Sequence, residues 1–214
     1  YVILTVIVVA GVVYINEGER KIPVSYAKRV RGNKLYGGAS SYLPLKVNQA
    51  GVIPIIFAVS ILLFPQFFSQ TVSIFSPDLS IRLTELVNKF FSNLLIYSAI
   101  YFVLVVVFTY FYTAITFDPQ EIAKNLQRSG GFIPGIRPGA STSEFISKIV
   151  NRTTLFGALF LGLIAILPNL TQLVTGISTL TLGGTALLIV VSVALETMKQ
   201  IESQVIMREY EGFL

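Results

Sequence analysis

Histidine and cysteine, the side chains that most often serve as proton relay, nucleophile or soft metal ligand, are absent from this 214-residue chain. Cys–His and Ser–His catalysis, imidazole or thiolate metal sites and disulfide frameworks are thereby excluded. All eleven carboxylates lie outside the long apolar runs, so no buried acid pair is visible. No catalytic residue, metal ligand or cofactor is expected. The groups left to recognise something are basic or amide. Arg29, Arg31 and Lys34 cluster in one loop, and Arg137 stands between two Pro/Gly pairs in another. Within the apolar runs the polar side chains include Asn48, Gln49, Ser60, Gln66, Ser98 and Thr109. Asn48 and Gln49 suit a membrane interface, and the others suit helix–helix hydrogen bonding. These residue types describe a binding or conducting protein rather than an enzyme.

The elements that must position them are membrane spans. Hydrophobic residues make up 53% of the chain and charged residues 13%, against about 25% charged in ordinary soluble domains. The mean hydropathy is +0.73. Uncharged runs predict an all-α polytopic membrane protein with five transmembrane helices, at about 1–15, 47–68, 94–117, 153–170 and 180–195. The first would reach only about 22 Å against an apolar core of about 30 Å, which predicts a truncated span in a chain that is part of a larger protein. Pro168, Asn169 and Gly176 supply turn chemistry between the fourth and fifth spans. Pro54 falls near the middle of the second span, where it marks a kink or a hinge. The Gly183-Gly184 pair permits a bend or a close helix approach, and Val105 is read as facing lipid.

Fourteen of the sixteen Lys and Arg residues fall in the loops 16–46 and 118–152 and the tail 196–214, which places those segments in the cytoplasm. The connections 69–93 and 171–179 are then external. Alternation at Ile22, Val24 and Tyr26, followed by a second extended stretch at Leu35 and Tyr36, predicts a β-hairpin in the first cytoplasmic loop. In the second, Asp118 caps a short helix with Pro119 at its first position and Gly130 beyond its end. Ser141–Glu144 reads as a capping box. Residues 76–93 read as a short surface helix. Folded, projecting basic loops suit phosphate-rich or acidic partners such as ribosomal RNA, or anionic membrane lipid. A secondary transporter with a Pro-broken helix is the alternative, and the absence of charge inside the spans argues against it.

The stretches Tyr26–Arg29, Leu43–Asn48 running into Ala50–Pro54, Gly135–Gly139, and Gly183–Thr185 followed by Leu187–Ile189 together resemble the C-terminal half of the SecY family, the protein-conducting channel of the general secretory pathway. The resemblance implies that the five spans correspond to the sixth to tenth helices of a ten-helix channel. It implies a pore ring containing Ile56 and Ile189, and a lateral gate with Asn48, Pro54 and Phe64. Docking of the motor ATPase SecA or the ribosome would then involve Arg29, Arg31, Lys34 and Arg137. The first loop has Asn33-Lys34 at its tip, where paired arginines occur in relatives. Further implied partners are SecE- and SecG-type small subunits, secretory preproteins with their signal sequences, and the N-terminal half, which would hold the plug and the other face of the gate.

Overall fold

The computed structural model describes residues 2–26, 29–31, 34–36, 40–176, 189–191, 193–195 and 197–205. The Gly183-Gly184 pair and the start of the expected fifth span lie outside them. The fold is mostly helical. In chain order it runs α1 (Val2–Glu17), β1 (Glu19–Tyr26), β2 (Arg29–Arg31), β3 (Lys34–Tyr36), β4 (Ser40–Lys46), α2 (Ile53–Phe75), α3 (Pro77–Phe91), α4 (Leu94–Thr116), α5 (Pro119–Arg128), β5 (Gly131–Phe132) and α6 (Ala140–Thr175). Residues 189–191, 193–195 and 197–205 are helical as well. Among the described residues three helices, α2, α4 and α6, are long and apolar enough to cross a membrane.

Their shared core is a seam of small and medium side chains. Ile55, Ala58 and Leu62 of α2 meet Tyr101 and Val105 of α4 and Leu161 and Ala165 of α6. Val105 is fully buried there, which corrects its reading as lipid-facing. The period of its neighbours Ser98, Tyr101, Thr109 and Thr113, all buried, puts it on the packed stripe of α4, whereas Val103 and Val107 are the exposed valines. α1 joins the bundle through Val12, which packs with Ile164, Phe160, Leu167 and Val191.

Two span boundaries differ from the expected ones. α2 begins six residues later than the uncharged run and continues to Phe75, because Val47–Val52 forms an irregular strap closed by Gly51 at φ +62°. Pro54 therefore sits in the first turn, where its missing N–H would have had no intrahelical partner. It starts the helix and does not kink its middle; Pro65 is the proline inside α2. The second difference is α6, one helix of 36 residues that carries Pro168 and Asn169 in its interior. Glu144, Lys148 and Arg152 end the apolar run but not the helix. Their spacing of four sets all three on one exposed face, while Ile146, Ile149 and Val150 are buried. At the other end the Thr171 hydroxyl donates to the Pro168 carbonyl at 2.7 Å. The helix stops at Gly176, which adopts the left-handed conformation.

The segments between the helices fold together. β1 pairs antiparallel with β4, from Glu19 opposite Lys46 to Ser25 opposite Ser40. β5 adds to the other edge of β1 through Ser25–Phe132 and Tyr26–Gly131. Strands from the two expected loops thus share one sheet, ordered β4-β1-β5. Ile22 and Leu45 on it pack with Ile133, Ile146, Ile149 and Val150. Ile122 and Leu126 of α5 close this core from outside. α5 starts as its sequence implies, with Asp118 accepting from the N–H groups of Gln120 and Glu121.

The helix expected at 76–93 is α3. A single residue, Ser76, separates it from α2, and the two are tied by Ser69, Ser80 and Thr84. The Ser69 and Ser80 hydroxyls each donate to the other's carbonyl, at 3.4 and 3.1 Å, and Ser69 Oγ lies 2.6 Å from Thr84 Oγ1. Ser69→Ala removes a buried hydroxyl from this knot and is expected to cost about 1 kcal/mol, read as a small fall in Tm with the helix content unchanged.

Candidate functional site

The strap leading into α2 is fixed from three sides. The Val47 N–H donates to the Gly18 carbonyl at 2.8 Å. Asn48, 6% exposed, donates from Nδ2 to Asn16 Oδ1 at 2.8 Å and to the Gly51 carbonyl at 3.2 Å. From behind, Gly157 of α6 comes so close that a Cβ there would lie 2.7 Å from the Val47 carbonyl oxygen. Small residues in apolar helices permit this kind of approach. Gly157 was not singled out from the sequence; the available signal was a pair of glycines, Gly157 and Gly162, inside a long apolar helix.

From this fixed entry α2 presents two faces. Pro54, Ile55, Ala58, Leu62 and Ser69 are buried. Ile56, Ser60, Phe64 and Phe67 recur at helical spacing on the opposite side and are exposed, Ile56 by 44% and Phe64 by 65%. The structure thus places Ile56 and Phe64 on one open apolar face, whereas Pro54 lies on the packed face of the first turn and Asn48 is buried in the strap. Ile56 is the fourth residue of α2 rather than mid-helix. The Ser60 hydroxyl donates to the Ile56 carbonyl at 2.8 Å on this same face. Ile189 lies half-buried on a different element, the helical residues 189–191, where Val191 packs onto the Val12–Ile164 cluster.

The Arg137 loop is rigid by construction. Gly135 and Gly139 have φ of +84° and +104°, Ile133 is buried, and Ile136 packs on the sheet core. The buried Thr142 hydroxyl donates to the Arg137 carbonyl at 2.8 Å, leaving the Arg137 side chain exposed. The capping box expected at Ser141–Glu144 does not form. α6 starts at Ala140, and its first N–H groups, of Thr142 and Ser143, reach the Gly139 carbonyl at 3.1 Å. Gly139 combines φ +104° with ψ −131°, a region open essentially to glycine alone. Its Cβ direction meets nothing nearer than 3.9 Å, so Gly139→Ala is expected to cost about 1–3 kcal/mol through backbone strain alone. A thermal melt that did not move would show that the loop relaxes freely.

On the other basic loop, β2 and β3 pair with Arg29 opposite Tyr36 and Arg31 opposite Lys34. The register sets Arg31 opposite Lys34 at the end of the ribbon. Arg137 and this pair lie on separate strand systems, the three-stranded sheet module and the β2–β3 ribbon.

A bundle of long apolar helices with exposed apolar faces on α2, α4 and α6, joined to a basic sheet module, defines a polytopic membrane protein. The SecY family model matches residues 1–198, and the chain belongs to the SecY family. It is 49% identical over 214 residues to the protein translocase subunit SecY of Mycobacterium tuberculosis, covering 97% of this chain and 48% of that protein. Against the SecY of Thermus thermophilus the figures are 48% identity, 98% and 47%. The chain spans about half the length of these relatives. A solved structure of a protein-conducting channel shares the fold, with a TM-score of 0.60 at 18% identity over 94% of this chain and 48% of that one.

Proposed function

We propose that this chain is the C-terminal half of the central subunit of a protein-translocation channel. It would pass unfolded polypeptides across the cell membrane and release signal or transmembrane segments sideways into lipid. The observation that carries the reading is nearly half identity, over nearly the whole chain, to relatives named protein translocase subunit SecY. The exposed face of α2 with Ile56 and Phe64 is in keeping with it.

In this reading Ile56 and Ile189 contribute to a ring of aliphatic side chains that seals by excluding water and yields around a passing chain. Asn48, Pro54 and Phe64 line the lateral gate, opposite a face supplied by the N-terminal half. Five spans cross the membrane, and the β1–β4 and β2–β3 ribbons with the Arg137 loop face the cytoplasm, in line with where the Lys and Arg residues fall. Arg29, Arg31, Lys34 and Arg137 dock SecA or the ribosome, and Arg137 on its rigid frame suits a bidentate contact to a carboxylate or phosphate. SecE- and SecG-type subunits complete the assembly. The chain performs no chemistry itself, and the partner's energy biases closed and open packings.

The test uses the natural lack of cysteine. Single cysteines at positions 56 and 189, placed in the full-length subunit made cysteine-free, are expected to crosslink to a secretory protein stalled in transit. A cysteine at the exposed Val107 should not. Silence at both isoleucines with the substrate demonstrably stalled would return them to ordinary packing.

A further inference from the structure

The side chains of α3 fall into rows that repeat at the helical intervals of four and three. Asp78, Arg82, Glu85 and Lys89 make one row, all exposed. Leu79, Leu83 and Leu86 make the next, with Leu79 and Leu86 exposed by 57% and 66%. A third row faces the bundle. Ser80 in it is buried, Thr84 Oγ1 meets Ser69 Oγ, and Phe91 packs against the core shared by α2, α4 and α6. Successive rows are turned by about 100°, so the leucines lie between the charged row and the packed one.

The height of the leucine row is set by how α3 is tied down. Ser76 alone joins it to α2, and only Ser92 and Asn93 join it to α4. Ser69, which bonds to Ser80 and to Thr84, lies more than one turn before the end of α2. α3 therefore leans along the flank of that end and does not stand above it. Its own last residue, Phe91, meets Tyr97 of α4 edge-on, with 5.6 Å between ring centres. At this level α2 exposes Phe67, Phe68, Ile74 and Phe75, and α4 exposes Leu95 and Ile96. Apolar side chains left open on all three helices at one height mark a hydrocarbon boundary and not water. The charged row holds two acids and two bases, so an anionic surface is not needed to hold it.

We propose that α3 lies in the membrane interface at the end of the bundle remote from the sheet module. Leu79 and Leu86 are seated in the acyl boundary of that leaflet, and the charged row stands at headgroup level. A helix so placed sinks its apolar face about 5–10 Å below the membrane surface. The occupant of the leucine row is thus lipid, not a protein partner. The inference rests on α2 and α4 crossing the membrane and is independent of what the chain conducts.

Depth-dependent quenching provides the test. Leu79→Cys, Ile81→Cys, Leu86→Cys and Val107→Cys are made one at a time in the full-length subunit freed of cysteine. Each is labelled with the fluorophore NBD and reconstituted in phosphatidylcholine vesicles carrying a doxyl group high or low on the acyl chain. All four side chains are exposed, so the substitutions remove little packing. Ile81 is apolar and as exposed as Leu79, at 58%, but it lies on the side of α3 away from the leucine row. The high doxyl group is expected to quench positions 79 and 86 severalfold more than 81, and the low one to quench 107 within α4. Quenching at 107 without it at 79 and 86 would overturn the proposal and leave the spans intact. Blue-shifted emission at those two positions would then assign the row to a protein contact, and unshifted emission to water. Equal quenching at 79, 81 and 86 would overturn the orientation of the helix. Silence at 107 as well would overturn the spanning assignment of α4, and the proposal with it.

Discussion

Gly157→Ala is expected to destabilise the chain by about 1–3 kcal/mol, which for a protein of this size lowers Tm by roughly 5 °C. The added methyl would meet the Val47 carbonyl oxygen at 2.7 Å, well inside van der Waals contact. What it meets is backbone, so no rotamer change relieves it. The strap cannot retreat easily either, because the Val47 N–H is bound to Gly18 and Asn48 bridges Asn16 and Gly51. Gly162 is the internal comparison. Its Cβ would come equally close, at 2.7 Å, but to the ring of Phe102, a side chain that is only partly buried and can turn. Gly162→Ala should therefore cost less than Gly157→Ala. Melting curves of the two variants in the same detergent, followed by far-ultraviolet circular dichroism, check the order. Equal shifts, or none for Gly157→Ala, would mean that the strap yields and that α6 does not fix the entry to α2. If it does fix it, Gly157→Ala also displaces Asn48 and the first turn of α2.

Much of this arrangement could be read from residue type and spacing. The α5 cap at Asp118, the α3 helix and the alternation along β1 each follow from short-range rules that tertiary contacts did not override. Long-range geometry was less accessible. Nothing in the uncharged run 47–68 shows that its first six residues form a strap. That depends on Asn16, Gly18 and Gly157, which lie 29 or more residues from their partners in the chain. Pro54 consequently looked like a break in mid-span, although it occupies the position where a proline starts a helix. The start of α6 at Ala140, well before the expected fourth span, was hidden for a different reason. Hydropathy marks where lipid stops, whereas α6 continues beyond it because Ile146, Ile149 and Val150 find a second apolar core on the sheet. Val105 failed as a lipid-facing position because a valine carries no sign of which side of a uniformly apolar helix it occupies. Only the polar residues at 98, 109 and 113 mark the packed stripe, and two of them were on view. Of the candidate site residues, Asn48 and Arg137 proved to be held by specific hydrogen bonds, of the side chain in one and of the backbone in the other. The resemblance pointed to them, but a single chain could not disclose their partners.

Ile146→Ala is expected to have the larger effect, about 2–5 kcal/mol, and to act away from the membrane bundle. Ile146 is fully buried in the core shared by β1, β4, the Ile133 loop and the start of α6. Emptying it leaves a void that the β-sheet side cannot fill, since Ile22 and Leu45 are held in register by β1–β4 pairing. The loss should be confined to the extramembrane module, so α2 and α4 retain their helicity while the module opens more often. Trypsin reads this directly. Lys124 and Arg128 lie on α5, whose Ile122 and Leu126 rest on the same core, and cleavage after them should speed up severalfold in Ile146→Ala. The stronger form of the argument uses a residue from the other loop. Ile22→Ala lies about a hundred positions earlier on β1, yet it should accelerate the same cuts on α5, because both side chains fill one core. Its effect should be less than additive with Ile146→Ala, as expected for residues in contact. Were Ile22→Ala to leave cleavage on α5 unchanged, the two loops would be separate bodies. A partner docked at Arg137 would then have no rigid connection to the β-sheet that leads through β4 and the strap into α2.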